Sequence, residues 1–470
     1  MKLDRFVALT LTLGCSGGIV AASGSAAAAG PPNILVIYVD DLGFGDLGSY
    51  GHLQVRTPNL DRLAQQGLRL TSYYAPAPLC SPSRAALLTG RTNYRTGIES
   101  WIPQGQDVQL GTQEITIAEL LKQRGYQTAI VGKWHLNGGL GLARHAQPSD
   151  QGFDHWLALH AFPIPHNRNP RNFYRNGEAL GEVEGYTGPI VIDDAIDWLE
   201  HRDPEAPFFL YVATIEPHAT IANPPDYDVM YSQYTRGVPD PFENGLPGPP
   251  TNLEARGPGE YWANVTYMDH QIGRLLDRID ALGLHDDTFV FFASDNGPVT
   301  TDWRHWWEVN IYGDTGGFRG RKADLYEGGI RVPAIVRWPG HVAAGSVSDE
   351  PVIGYDLLPT LASVVGFEVP SDRPIDGEDF SALFHGGTFG RRQPLYWEFN
   401  DDHGFHFALR DGNWKLLADE ALERVELYDL GSDRFELFDL STARPEVTAS
   451  LLAKLRAIDQ SVENDPFRPR

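Results

Sequence analysis

The sequence predicts an α/β protein: a large mixed, mostly parallel sheet sandwiched by helices, followed by a small C-terminal antiparallel α+β subdomain. Three observations predict it. Continuous apolar, β-branched runs recur at 34–39, 128–131, 208–213 and 288–293, as in strands buried on both faces. Segments with helical start and stop signals lie between them. Beyond about residue 391 the pattern shifts to short alternating runs in close succession.

Lys2 and Arg5, an apolar run and Ser-Gly-Ser-Ala-Ala-Ala-Ala-Gly make residues 1–30 read as an export signal, with cleavage options near Ala29. Cys15 within it could anchor a lipoprotein. No other stretch is long and apolar enough to span a bilayer. A catalytic domain is expected over 31–390 and the subdomain over 391–470.

The run 34–39 ends in Asp40-Asp41-Leu42-Gly43. Open α/β sheets place their chemistry just beyond the carboxyl ends of strands. Neighbouring strand residues point to opposite faces, so Asp40 and Asp41 converge only if the chain already turns there, with Gly43 and Gly45 supplying freedom. Two adjacent carboxylates repel unless a cation lies between them. A solvated turn is the other reading of the pair.

Thr57-Pro58 opens a short helix that Gly67 ends, with Thr57 as its N-cap. Residues 116–124 form another helix. The strand 128–131 runs into Gly132-Lys133-Trp134-His135, where Lys133 and His135 would share a face of extended chain. Residues 137–189 read as loops. A helix over 193–201 precedes the strand 208–213, which leads to His218. The Pro/Gly-rich stretch 220–259 reads as a surface excursion of the kind that shapes a binding site. Residues 261–282 are a helix whose stripe Val265, Met268, Ile272, Leu275, Ile279 and Leu282 is core. The strand 288–293 ends in Ser294-Asp295-Asn296-Gly297. An aromatic loop, Trp303-Arg304-His305-Trp306-Trp307, suits stacking on a sugar or aryl group, or packing under a lid. Lys322 follows, then Glu327 and Arg331, read as a scaffold ion pair. A helix covers 355–365. Strands at 395–399, 405–409, 414–417, 425–427 and 435–438 and a helix at 448–458 build the subdomain.

The chain of 470 residues is 42% hydrophobic, ample for a large core. A formal charge of −24 argues against nucleic acid as a partner, and an anionic substrate would need a local positive site. Of two cysteines one is Cys15, so an exported product would retain Cys80 alone. Exported chains usually spend cysteines on disulfides, and this one has kept a single thiol for another use.

Cys80 opens the stretch Cys-Ser-Pro-Ser-Arg-Ala-Ala-Leu-Leu-Thr-Gly-Arg. Pro82 suits a helix's first turn and Gly90 its C-cap. Cys80 then sits at a helix N-terminus, where N–H groups favour an anion, and Arg84, one turn on, can aim at the same point. A buried inert thiol is the plainer alternative. Cys80-x-Pro82-x-Arg84 with its flanks, Gly-Lys-Trp-His at 132–135 and Gly-Arg-Lys with Glu-Gly-Gly-Ile-Arg-Val-Pro at 320–333 together resemble type I, formylglycine-dependent sulfatases. The wording is close to that of arylsulfatases and N-acetylgalactosamine sulfatases.

The resemblance implies an alkaline-phosphatase-like fold and hydrolysis of sulfate esters. It implies that a formylglycine-generating enzyme oxidises Cys80 to an aldehyde whose hydrate attacks sulfur. It places a divalent cation on Asp40, Asp41, Asp295, Asn296 and the residue made from Cys80. The all-oxygen side chains suit Ca²⁺ ahead of Mg²⁺. It gives Asp295 the attacking hydroxyl's proton, His135 a part in elimination, Arg84 and Lys133 the steadying of the hydrate, His218 protonation of the leaving oxygen and Lys322 the sulfate. His166, Arg304 and His305, in the loops, are candidates for contacts to a sulfated carbohydrate or aryl sulfate. The rivals are phosphonate monoester or phosphodiester hydrolysis at the same site, and a sulfated-glycan binding protein with a degenerate site.

Overall fold

The computed structural model describes residues 30–234, 257–300 and 309–469. Residues 1–29 of the expected export signal, with Cys15, the aromatic run with Arg304 and His305, and residues 235–256 of the excursion lie outside the described residues.

Ten strands form one sheet. At its centre Thr288–Ser294, Asn33–Val39, Phe208–Ala213, Gln127–Lys133 and His155–Leu159 lie side by side and parallel. Ala334–Arg337 runs antiparallel to Thr288–Ser294 and continues the sheet through Leu68–Leu70 to Ser346–Ser348. Tyr174–Arg175 and Glu178–Ala179 close the other edge as a hairpin.

Alternation along Asn33–Val39 divides the core. Ile34, Val36 and Tyr38 pack with Ala85, Leu87 and Leu88 of helix Cys80–Thr89 and with Leu357 and Leu361 of helix Leu357–Val365. Leu35, Ile37 and Val39 face the other way, onto helices Pro58–Gln66, Thr187–His201 and Pro258–Ala281. The predicted stripe from Val265 to Ile279 is buried there. Each buried Leu, Ile or Val contributes about 1.5–3 kcal/mol, so packing on both faces fixes where the strand tips lie. All ten residues of helix Cys80–Thr89 are buried, and it therefore carries no amphipathic signature.

Several expectations are corrected. Region 137–189 is not loop throughout, because it supplies the central strand His155–Leu159 and the edge hairpin. Five residues set among Gly, Pro, Asn and His are too short a run to stand out. Thr57 precedes its helix but its side chain does not cap it. Its hydroxyl accepts from the Gly48 N–H and donates to Asp61. The carboxylate of Asp269, from a neighbouring helix, takes the N–H groups of Asn59 and Leu60 instead.

The C-terminal sheet is an antiparallel meander of Leu395–Glu398, Phe407–Asp411, Trp414–Ala418 and Val425–Asp429. Leu409, Leu416 and Leu427 pack on Leu451, Leu455 and Val462 of helix Pro445–Glu463. Residues 435–438 are not the expected fifth strand. Glu436 adopts φ 57° and turns its carboxylate onto Lys415 and the Glu327 N–H, which leaves Leu437 and Phe438 exposed.

Lys415 is fully buried between Glu327 (3.0 Å) and Glu436 (2.8 Å), and Glu327 also holds Arg331 (3.1 Å), the expected scaffold pair. Removing one charge from such a cluster strands the others without water. Lys415→Met is therefore expected to lower unfolding free energy by about 3–5 kcal/mol, read from urea melts of the two proteins.

Candidate active site

The catalytic candidates gather at the carboxyl ends of the parallel strands. Val39 and Ser294 are in register, so Asp40 and Asp295 leave the sheet side by side. The Asp295 N–H donates to the Val39 carbonyl (3.0 Å), and the Asp41 N–H donates to Asp295 Oδ1 (3.2 Å). The expected turn falls at Asp41 itself, at φ 65°, a left-handed conformation that Asp tolerates. Gly43 serves another purpose: a Cβ there would lie 2.2 Å from the Asp314 carbonyl oxygen.

Cys80 begins its helix, as the motif implied. Its Sγ lies 3.2 Å from His135 Nδ1. His135 Nε2 donates to the Ile102 carbonyl (3.2 Å), which leaves Nδ1 as the acceptor facing the thiol. The helix N-terminus does not make a thiolate of Cys80. Burial pushes the thiol's pKa up despite Lys133 and Lys322 nearby. Burial, reinforced by Lys133 and His160, holds His135 well below the usual histidine range, so its ring stays neutral.

Lys133 and His135 do not meet through strand alternation. Gly132 lies at φ 106° and His135 at φ 53°, so the chain bends on both sides of Lys133. A Cβ at position 132 would lie 1.8 Å from the Ala213 carbonyl, which only glycine avoids. Lys133 Nζ donates to Asp40 Oδ2 (2.6 Å), and Lys322 Nζ donates to Asp41 Oδ1 (2.5 Å). Arg84 lies close enough to feel the charge of Cys80, but its hydrogen bonds go elsewhere. Its Nε and Nη2 grip Asp295 Oδ2 (3.0 and 2.6 Å) and its Nη1 donates to the Lys133 carbonyl (3.3 Å). His218 Nδ1 donates to the Ala219 carbonyl (2.5 Å), and Nε2 faces Asp41 Oδ2 at 3.7 Å.

Three carboxylates, Asp40, Asp41 and Asp295, thus meet three cations, Arg84, Lys133 and Lys322, almost entirely out of water. Burial alone would raise all three acids. Lys133 and His218 hold Asp40 below the ordinary range, and Lys322 and His218 do the same for Asp41. Asp295 goes up instead, through burial and the repulsion of Asp40. Asp40 Oδ1 and Asn296 Oδ1 are buried with no hydrogen-bond partner among the described residues. Asn296 spends its amide on Asp41 Oδ1 and the Gly297 carbonyl, so its oxygen is left over. Two orphaned hard oxygens beside further carboxylates fit a Ca²⁺- or Mg²⁺-type cation. With one bound, a cluster of balanced charge would gain two positive charges in a strongly acidic protein, which favours an anionic substrate.

The described contact of His166 is with the Arg168 N–H on its own loop (3.1 Å), and none joins it to the cluster. Three residues not anticipated from sequence do reach the two candidate histidines. Trp101 and His160 pack on His135, with ring centroids 6.4 and 5.2 Å apart, and Phe162 stacks on His218 at 6.5 Å. The signal for His160 and Phe162 is the end of strand His155–Leu159, too short to stand out in sequence.

The sulfatase family model matches residues 32–367, and a second model, N-sulphoglucosamine sulphohydrolase, C-terminal, matches 313–461. The chain is 36% identical to arylsulfatase A of Bos taurus over 420 residues, 86% of this chain and 77% of that protein. It is 35% identical to N-acetylgalactosamine-6-sulfatase of Canis lupus familiaris over 398 residues, 80% and 70% of the two. The solved structure of Ps i-CgsB in complex with k-i-k-neocarrahexaose superposes with a TM-score of 0.78 at 25% identity, covering 93% of this chain and 94% of that one.

Proposed function

The chain belongs to the sulfatase family and is a sulfuric ester hydrolase; we propose that it removes sulfate from a sulfated carbohydrate, using an aldehyde hydrate made from Cys80. One observation carries this reading. Around Cys80, which contacts a neutral histidine base, the fold gathers three paired lysine or arginine cations and two buried hard oxygens without hydrogen bonds. The thiol itself is a poor nucleophile there, since burial keeps its proton on. A hydrated aldehyde on the same carbon supplies one hydroxyl to attack sulfur and a second whose deprotonation lets sulfate leave. Its formation needs a formylglycine-generating enzyme as a maturation partner.

Asp40, Asp41, Asp295 and Asn296 would hold Ca²⁺, which supplies charge neutralisation and acidifies a bound hydroxyl. Arg84 fixes Asp295 from behind, so that carboxylate can take a proton without swinging away. His135 Nδ1 faces position 80 and is placed to accept a proton from it. Lys133 would steady the hydrate, and Lys322 would present its ammonium group to the sulfate oxygens. His218 has its Nδ1 committed to a carbonyl, so Nε2 is the atom that hands a proton to the leaving oxygen.

The carbohydrate assignment draws on the relatives: one is an N-acetylgalactosamine-6-sulfatase, and Ps i-CgsB is seen with neocarrahexaose. Residues 1–30, as an export signal, would bring the enzyme to such polymers. Among the described residues no helix is long and apolar enough to cross a membrane. Matured protein is expected to release sulfate from sulfated sugars and to prefer a nitrophenyl sulfate over the matching nitrophenyl phosphodiester by at least ~10²-fold in kcat/KM. A preference for the phosphodiester would move the assignment to phosphonate or phosphodiester hydrolysis. Glycan binding without sulfate release would make the site a degenerate one.

A further inference from the structure

We propose that Trp101, His160 and Phe162 form the subsite for the leaving group, with His160 Nε2 accepting a hydrogen bond from a hydroxyl of the sulfated sugar. The inference rests on the carbohydrate reading above and adds the residues that select for it.

Leu159 ends a parallel strand in register with Lys133, and the Trp134 N–H donates to its carbonyl (3.0 Å). His160 therefore leaves the sheet at the catalytic edge, beside the strand that carries Lys133. The short segment from His160 to Phe162 then spans the site. Its first ring meets His135, which faces Cys80, and its last ring lies parallel to His218, at an interplanar angle of 2°. Phe162 thus flanks the histidine assigned to the leaving oxygen.

Trp101 stands across from this segment. It precedes Ile102, whose carbonyl accepts from His135 and whose N–H donates to Ser81 Oγ (3.2 Å) next to Cys80. Trp101 is thus tethered to the nucleophile's own turn. Trp101 and Phe162 are 47% and 44% exposed, unusual for large rings beside so buried a cluster. Ring faces of this kind receive the apolar face of a sugar or an aryl group.

His160 supplies the selectivity. It is 8% exposed and its Nε2 has no hydrogen-bond partner among the described residues. The backbone of Asn137 engages its other nitrogen, while burial and the charge of Lys133 bring its pKa to about 4. The neutral ring therefore directs a lone pair, not an N–H, from Nε2. Sulfate oxygens are acceptors and cannot satisfy it. A sugar hydroxyl can, and a plain aryl sulfate offers none. A buried acceptor left unmatched is costly, which makes the pairing discriminating.

The test compares kcat/KM for N-acetylgalactosamine 6-sulfate and for nitrophenyl sulfate in matured protein. His160→Phe keeps a ring against His135 and removes the lone pair. It is expected to lower the sugar-to-aryl ratio about tenfold, chiefly through KM for the sugar, and His160→Gln, which restores an acceptor, is expected to recover much of it. Phe162→Ala is expected to weaken both substrates, since stacking serves either ring. Equal losses on both substrates in His160→Phe, or an unchanged ratio, would overturn the subsite and leave the sulfatase reading standing. Cleavage of nitrophenyl sulfate with no release from any sulfated sugar would overturn the carbohydrate reading and the subsite together.

Discussion

Replacing Cys80 with alanine is expected to lower kcat/KM on any sulfate ester by about 10⁶-fold, to the background rate, while the protein stays folded. The size follows from the residue's part in the chemistry. Losing a nucleophile collapses a cooperative constellation, and what remains is the smaller rate gain from binding and charge alone. The structure separates this loss from a folding defect. Cys80 is the first residue of its helix, and the helix is held by Ala85, Leu87 and Leu88 in the core beneath the sheet. Among the described residues Sγ makes one hydrogen bond, to His135. Its removal should cost about 1 kcal/mol, so thermal unfolding and initial rates measured on the same preparation distinguish the two effects. Substantial turnover in Cys80→Ala would mean that another group attacks sulfur.

Exhaustive removal of divalent cations is expected to lower kcat by at least ~10²–10³-fold, with Ca²⁺ restoring it more fully than Mg²⁺. Asp40 Oδ1 and Asn296 Oδ1 make no hydrogen bond among the described residues. Lys133 and Lys322 pair with Asp40 and Asp41. Loss of the ion removes its positive field from this cluster. Several carboxylates crowding one site favour the larger, more flexible coordination of Ca²⁺. Chelation followed by titration of each metal back into the assay measures this directly, and undiminished rates in chelated protein would exclude a cation from the reaction.

The legible part of this molecule was the part written in local sequence. Asp40, Lys133, His218 and Asp295 each follow a strand dense enough in β-branched and aromatic residues to be recognised, and strand tips are where such sheets place polar groups. Cys80 and Gly90 bracket a helix whose C-terminal end obeys simple capping chemistry. What stayed illegible depends on register and on partners distant in sequence. Nothing near Arg84 shows that it grips Asp295, because that pairing exists only once Val39 and Ser294 lie side by side. Thr57 looked like a cap, and Asp269, over two hundred residues away, does the capping. Residues 435–438 alternate like a strand, yet buried Lys415 draws Glu436 inward and breaks the alternation. His160 and Phe162 were hidden behind a five-residue strand.

Peptide mass spectrometry across residue 80 of fully active enzyme tests the central claim most directly. The expected peptide has lost its sulfur and carries an aldehyde in place of the thiol, reactive toward hydrazines and inert to thiol alkylation. A peptide from fully active protein that retains an alkylatable thiol at position 80 would contradict it.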